Sequence, residues 1–150
     1  MSDTLLTVSI AALVIGTGFT WLGIRTAGIP VSSPERLVAE LRLAQIAALL
    51  LATTTGAYIG FAVGHEHQPG AGIHVAVAIG FFLVGASTLI RDPRQALTIL
   101  ALAFAAHAVV DVARGPGAFL AGVTPDWYAI GCAVFNVYMG AIAYLPILRR

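Results

Sequence analysis

The stretch that decides the fold is residues 96–112, which read ALTILALAFAAHAVVDV. As an α-helix rising about 1.5 Å per residue, an apolar run of this kind crosses most of a hydrocarbon core about 30 Å thick. Its two ionisable residues, His107 and Asp111, lie four positions apart and therefore on one face of the helix. Because ionisable side chains are expensive in lipid, such a pair indicates a functional site.

The composition of the whole chain indicates an integral membrane protein. The 150 residues are 59% hydrophobic and 10% charged, and none of them is lysine. The mean hydropathy is +0.91. A soluble domain of this size needs a charged surface, which so few charged side chains cannot form. The net charge of +1 gives no reason to expect a nucleic-acid partner, and the single Cys132 excludes an internal disulfide.

Five apolar segments are long enough to span a bilayer, which predicts an all-α bundle of five transmembrane helices in one domain, residues 1–150. We expect the spans at about Thr4–Ile24, Leu43–Gly64, Gly72–Ile90, Ala96–Ala113 and Trp127–Leu148. An odd number of spans puts the termini on opposite sides. Seven of the eight arginines follow the first, third and fifth spans, and only Arg114 lies on the other side. The positive-inside rule then predicts an outer N-terminus and a cytoplasmic C-terminus.

The second helix should begin before its apolar part. Ser33, Pro34 and Glu35 form a helix-start signal, with a serine cap, proline at the first helical position and an early acid. We expect the first turns of this helix to stand out of the cytoplasmic leaflet with their charged side chains, Glu35, Arg36, Glu40 and Arg42.

Two further patterns predict packing. The pair Gly56-x-x-x-Gly60 is typical of closely packed membrane helices. The connection before the fifth span contains Phe119-Leu120, which is apolar enough for us to expect it to dip into the membrane interface.

Counting along the helices places the polar residues of the spans in one layer. His107 lies about 10 Å below the outer end of its helix, and Asp111 about one turn nearer the surface. Tyr58 of the second span has a similar depth, and Cys132 and Asn136 share one face of the fifth. The sequence therefore predicts a polar site in the outer half of the membrane, built around His107, Asp111, Asn136 and Tyr58.

The other histidines also lie toward the outer half, which leaves a metal site as one interpretation. His65, His67 or His74 would join His107 and Asp111 around a transition metal such as zinc, copper or iron. The competing interpretation makes His65-Glu66-His67 a solvated turn. The pair in the fourth helix would then be a hydrogen-bonded contact that holds two helices in register.

Two other uses of the layer remain open. Alanines surround His107, so that haem or chlorophyll could approach it and take it as an axial ligand. Asp111, Asn136 and Tyr58 could instead move protons or ions, although no matching acid lies in the inner half of the spans. Arg114 either pairs with Asp111, which would keep that carboxylate charged, or extends to the lipid headgroups.

The last third of the chain resembles a family of small bacterial integral membrane proteins that carry a domain of unknown function. The resemblance rests on the His107-x-x-x-Asp111 helix, the turn at Gly115-Pro116 and the helix opening Gly131-Cys132-Ala133. The family pattern has Asp where this chain has Asn136, and a His pair where it has Ala113-Arg114. The resemblance implies a bacterial or archaeal plasma membrane and an important site, but no particular chemistry.

Taken together, these features predict a polar, outward-facing site that binds a metal or acts on a lipid-soluble substrate. In an enzyme, His107 would be a metal ligand or general base, Asp111 would orient it, and Arg114 would hold Asp111 charged. The alternative is an accessory subunit of a larger membrane complex, including a redox or pigment-binding one, or a homo-oligomer. Such a subunit has little mass outside the membrane and many small residues, as this chain does.

Overall fold

The computed structural model describes residues 3–118 and 120–149, and in that part of the chain every regular element is an α-helix. The helices are α1 (Asp3–Gly28), α2 (Pro34–Gly64), α3 (Ala71–Thr88), α4 (Pro93–Ala113) and α5 (Asp126–Leu148). Each is long and apolar enough to cross a membrane. The predicted all-α bundle of five membrane-spanning helices is confirmed, while Phe119 and its expected position lie outside the described residues.

Short polar caps begin two of these helices. The Ser33 hydroxyl accepts a hydrogen bond from the Glu35 amide at 3.3 Å, with Pro34 at the first helical position, as the sequence predicted. The Asp92 carboxylate accepts from the amides of Arg94 and Gln95 at the start of α4. Each cap satisfies amides that have no partner within the helix, and thereby fixes the residue at which the helix begins.

Helices α4 and α5 form the most extensive contact of the bundle, and α2 packs against α3 and α4. Gly140 makes the α4–α5 contact close, since a Cβ atom there would lie 3.1 Å from the Ala101 carbonyl oxygen. Large apolar side chains fill the core between these helices, among them Leu43, Leu51, Leu97, Leu100, Phe104 and Met139. The close approach of α5 to α4 brings the polar faces of the two helices together.

Helix α1 has buried residues only in its second half. Its buried residues are Gly16, Phe19, Gly23, Thr26 and Ala27, and none of residues 3–15 is buried. Between its first half, α2 and α5 runs an open cleft of about 300 Å³.

The predicted packing at Gly56 and Gly60 is wrong for contacts within this chain. Both glycines are exposed, and a Cβ atom at either would meet nothing within 4 Å. The close helix contacts form instead at Gly140 and at Gly23, which lies against Ile142. Spacing alone could not distinguish these positions, because glycine pairs one turn apart occur on open faces too.

Because five spans alternate in direction, the chain begins and ends on opposite sides of the bundle. We call these the N-terminal side, with the connections at 65–70 and 114–125, and the C-terminal side, with those at 29–33 and 89–92. The first turns of α2 lie on the C-terminal side, but two of their four charged side chains are enclosed by protein rather than exposed. Arg36 and Glu40 are 2% and 1% exposed, packed against α1 and α5.

Candidate functional site

The centre of the site is a contact between one face of α4 and one residue of α5. His107 and Asp111 are fully buried, and the His107 Nδ1 atom lies 3.1 Å from Asp111 Oδ2. The Asn136 amide nitrogen lies 2.7 Å from the same carboxylate oxygen and 2.9 Å from His107 Nδ1. Three of the four predicted site residues therefore form one hydrogen-bonded cluster, in which Asn136 is the partner contributed by α5.

Arg114 closes the cluster on the N-terminal side. It caps the end of α4 and is 0% exposed, and its NH1 group donates to Asp111 Oδ1 at 3.3 Å. Its guanidinium carbon lies 3.7 Å from the centre of the Tyr58 ring, a cation–π contact. Of the two interpretations of Arg114, pairing with Asp111 is confirmed. The buried carboxylate is thus matched by a buried cation, which a charge out of contact with water requires.

Aromatic rings enclose His107. The Phe81 ring centre lies 4.6 Å from that of the imidazole and the Tyr58 ring centre 5.5 Å from it, and Tyr58 in turn contacts Tyr128. The residues present therefore do not fit a haem or chlorophyll, because a flat macrocycle on His107 would need the space that these rings occupy. The expected role of His107 as an axial ligand is not supported by this geometry.

Seven buried polar atoms have no hydrogen-bond partner in the described part of the chain. They are Tyr58 Oη, His74 Nδ1, His107 Nε2, Arg114 Nε and NH2, Thr124 Oγ1 and Asn136 Oδ1. Five belong to the residues of the cluster itself. An unpaired buried polar group costs about 1–3 kcal/mol, so such a concentration indicates a place where water or a polar ligand supplies the missing partners.

The structure does not bring the proposed metal ligands together. His65 and His67 lie on the turn between α2 and α3, where the His67 side chain is 93% exposed and His65 contacts the Phe61 carbonyl. His74 is buried near Arg114 and the Leu120 backbone. Within residues 3–118 and 120–149, no group of three or more His, Cys, Asp or Glu side chains could hold a metal ion. Metal binding stays a prediction without support from the arrangement.

The open cleft between α1, α2 and α5 approaches the cluster from the side of the bundle, and one layer of side chains separates the two. Tyr128, Cys132 and Thr54 form its inner wall, and apolar side chains of α1 form its outer wall. Cys132, which belongs to the inner wall, interacts on its other side with Tyr58 and with the charge of Asp111. A side chain or ligand in the cleft is therefore one residue layer from the polar cluster.

A second buried charged cluster, on the C-terminal side, was missed by the sequence analysis. Arg36 donates to Glu40 at 2.6 Å and to the carbonyl oxygens of Thr26, Ile29 and Pro146 at 2.5, 2.8 and 2.7 Å. Arg94 of α4 donates to the second Glu40 oxygen at 3.2 Å. The cluster joins α1, α2, α4 and α5.

The signal for that cluster was present in the spacing of α2. Arg36 and Glu40 lie on the same helix face as Leu43, Ala47 and Leu51, which are core residues. When charged residues lie on the same helix face as core residues, their side chains point into the bundle. This holds even where that part of the helix extends beyond the hydrocarbon.

These features define a class: a five-helix membrane-spanning protein with a buried polar centre between its helices and a separate buried ion cluster at one side. No family model, curated protein or solved structure matches the chain.

Proposed function

We propose that this protein binds a lipid-soluble molecule at the polar cluster of His107, Asp111, Asn136, Arg114 and Tyr58, and acts on it there. The observation that carries the proposal is the concentration of unpaired buried polar atoms around a matched charge pair. A merely structural contact between two helices would pair these atoms with each other. Atoms left without partners favour a site that is completed by something else.

The chemistry of the site centres on the Nε2 atom of His107. The other ring nitrogen, Nδ1, lies within hydrogen-bond distance of both Asp111 and Asn136. If Nδ1 donates to the Asp111 carboxylate, Nε2 is free to accept a proton as a general base; if Nδ1 accepts from Asn136, Nε2 carries the hydrogen and donates. In both tautomers, Nε2 is the atom available to a ligand.

The remaining residues support that atom. Asp111 orients the imidazole, and Arg114 balances the Asp111 charge, so that the site is neutral when His107 is neutral. Tyr58 offers a hydroxyl that has no partner in the described residues. A substrate that is soluble in lipid fits this arrangement, because the approach to the cluster is the open cleft between helices.

The proposal is tested on protein purified in mild detergent, with extraction of bound small molecules into organic solvent and their identification by mass spectrometry. We expect a compound in near-stoichiometric amount with the wild-type protein. It should be lost from His107→Asn, whose shorter side chain can replace Nδ1 but leaves no polar atom at the position of Nε2, and from Gly131→Trp, which fills the cleft without touching the cluster. Gly131 is exposed and lines the cleft.

Gly60→Trp is the matched control for the cleft variant, because Gly60 is also an exposed helical glycine with nothing within 4 Å, but lies outside the cleft. It should keep the compound. A compound that survives in His107→Asn, or the absence of any compound from the wild type, would contradict the proposal.

Metal binding is decided on the same samples. A metal would bind to His107 Nε2, which is unpaired. Its other ligands would have to come from elsewhere, because no three His, Cys, Asp or Glu side chains of the described residues are grouped there. Elemental analysis of wild type and His107→Asn tests this. Near-stoichiometric zinc, copper or iron that disappears in the variant would make His107 a metal ligand.

A second candidate function is that of a subunit in a larger membrane complex or homo-oligomer. It is favoured by the first half of α1, which contacts little of the bundle and exposes apolar side chains including Ile10, Leu13 and Val14. Purification in mild detergent should then yield a stoichiometric partner or a defined oligomer. A protein that is monomeric and without partners would count against this candidate.

We also propose that the protein lies in the plasma membrane of a bacterium or archaeon with its C-terminal side in the cytoplasm. The arginine distribution supports this orientation. Reporter fusions to the C-terminus that are active only in the cytoplasm should be active, and a silent cytoplasmic reporter with an active periplasmic one would reverse the assignment.

A further inference from the structure

A groove of about 360 Å³ lies on the C-terminal side, between the end of α1 and the start of α2, and the function proposed above does not use it. Its walls combine apolar side chains with three charged ones. The apolar residues are Leu22, Ile29, Val38, Ala39 and Leu43, and the charged residues are Arg25, Arg42 and Glu35. The groove is therefore mostly apolar and carries one net positive charge.

The two arginines of the groove have no acidic partner in the described part of the chain, although acids lie nearby. Arg36 and Arg94 take both oxygens of Glu40, and no ion pair involves Arg25 or Arg42. The Arg25 guanidinium lies over the Trp21 ring instead, 5.2 Å from its centre. Two exposed cations at one groove thus remain available to an anion.

The depth of the groove matches the headgroup region of a membrane. Arg25 is in the last turn of α1, one turn beyond the exposed Trp21, and tryptophan is typical of membrane interfaces. Helix α2 has 31 residues and is about 46 Å long, which exceeds the hydrocarbon thickness of about 30 Å. Its first turns therefore extend beyond the hydrocarbon, and Arg42, about 12 Å from the helix start, lies near the boundary.

We propose that this groove binds one anionic phospholipid. The phosphate lies between Arg25 and Arg42, which donate charge-assisted hydrogen bonds to its oxygens, and an acyl chain follows Leu22 and Val38. One negative charge on the headgroup neutralises the net charge of the groove. A zwitterionic phospholipid brings its own cation beside the arginines and binds more weakly.

The proposal is tested by native mass spectrometry of the full-length protein with phosphatidylglycerol and with phosphatidylcholine of identical acyl chains. Phosphatidylglycerol should bind more tightly. Each basic residue near an anionic lipid surface contributes roughly a fivefold gain in binding, so Arg25→Gln/Arg42→Gln should lower the phosphatidylglycerol affinity about 30-fold. Glu35→Gln removes the negative charge of the groove and should raise the affinity for phosphatidylglycerol.

Arg91→Gln/Arg149→Gln is the matched control. It removes the same charge from the same side of the bundle, and these exposed side chains lie outside the groove. It should change the affinity less than twofold, and both double variants should unfold at the wild-type temperature because all four side chains are exposed.

An equal loss of affinity in the two double variants would overturn the proposal, since any positive charge on that side would then suffice. Equal binding of the two lipids to the wild type would also overturn it. So would complete displacement of phosphatidylglycerol by inorganic phosphate alone, which would make the groove a site for the free ion. If Arg25→Gln/Arg42→Gln does not fold, the gain expected for Glu35→Gln still decides the matter.

Discussion

Replacing Asn136 by aspartate should lower the unfolding free energy of the protein, and a bound cation should restore part of it. The Asn136 nitrogen lies 2.7 Å from Asp111 Oδ2 and 2.9 Å from His107 Nδ1. In Asn136→Asp, a carboxylate oxygen takes the place of the amide donor. Two ionised carboxylates at that separation would repel each other by about 4–6 kcal/mol at an effective dielectric constant near 20, which is an upper limit because one of them can take up a proton. That is a large part of a typical folding free energy of about 5–15 kcal/mol.

Asn136→Leu is the control, because it removes the same two hydrogen bonds without adding a charge. Each hydrogen bond to a charged group contributes about 1.5–3 kcal/mol, and Asp111 keeps His107 and Arg114 as partners. We therefore expect the unfolding free energy of the leucine variant to be about 2–3 kcal/mol lower than that of the wild type. The aspartate variant should lose up to about 4–6 kcal/mol more of its unfolding free energy in the presence of a chelator, with the full loss at a pH high enough to keep both carboxylates ionised.

The assay is unfolding of the purified protein in mixed detergent micelles, with and without Zn²⁺. Only Asn136→Asp places a third suitable ligand beside His107 and Asp111, so only this variant should be stabilised by zinc. At a zinc concentration of about 100 times the dissociation constant, the gain is about 2.7 kcal/mol. If the stability of Asn136→Asp in chelator does not fall relative to that of Asn136→Leu as the pH is raised, the side chain of residue 136 does not face the Asp111 carboxylate and the described cluster is refuted.

Two further predictions concern the packing of the bundle, and both are measured by the same unfolding assay. Arg36→Met should cost about 3–5 kcal/mol, because it leaves Glu40 buried with only Arg94 and removes the donor from three carbonyls. Arg36→Met/Glu40→Met should be more stable than the single variant, since no buried charge is then left unpaired, and the reverse order would contradict the account of this cluster. Gly140→Leu should lower the unfolding free energy by about 1–3 kcal/mol or more, because the larger side chain forces α5 away from α4. Gly56→Leu lies on an open face and should change it little. Equal effects of the two glycine substitutions would mean that α4 and α5 do not approach closely at Gly140.

The polar cluster shows which contacts a sequence can predict. His107 and Asp111 are four residues apart on one helix, so the helical repeat alone places them together. Arg114, three residues further, falls within the same reach, and its pairing with Asp111 was one of two predicted outcomes. Asn136 was predicted to lie at the right depth, but its contact with His107 depends on the rotation of α5 about its axis. That rotation is set by the close packing of Gly140 on α4.

The histidines of the α2–α3 turn show the limit of reasoning by depth. His65 and His67 were placed on the outer turn, in the same half of the membrane as His107, and this left a shared metal site open. Depth fixes one coordinate of a residue, and the other two depend on which helices are neighbours. In the structure, these side chains lie on the exposed turn, while aromatic rings from α2 and α3 enclose His107.

By itself, the sequence determined the class, the number and the approximate bounds of the helices. These follow from apolar length and from cap residues such as Ser33 and Asp92, which act within a few residues of the chain. Only the tertiary structure decided that Arg36 and Glu40 are buried, that the pair Gly56 and Gly60 lies on an open face, and that Asn136 completes the site on α4. The physical reason is that every face of these helices is apolar enough to meet either lipid or protein. The choice between the two is made by shape and hydrogen bonding between helices distant in the chain.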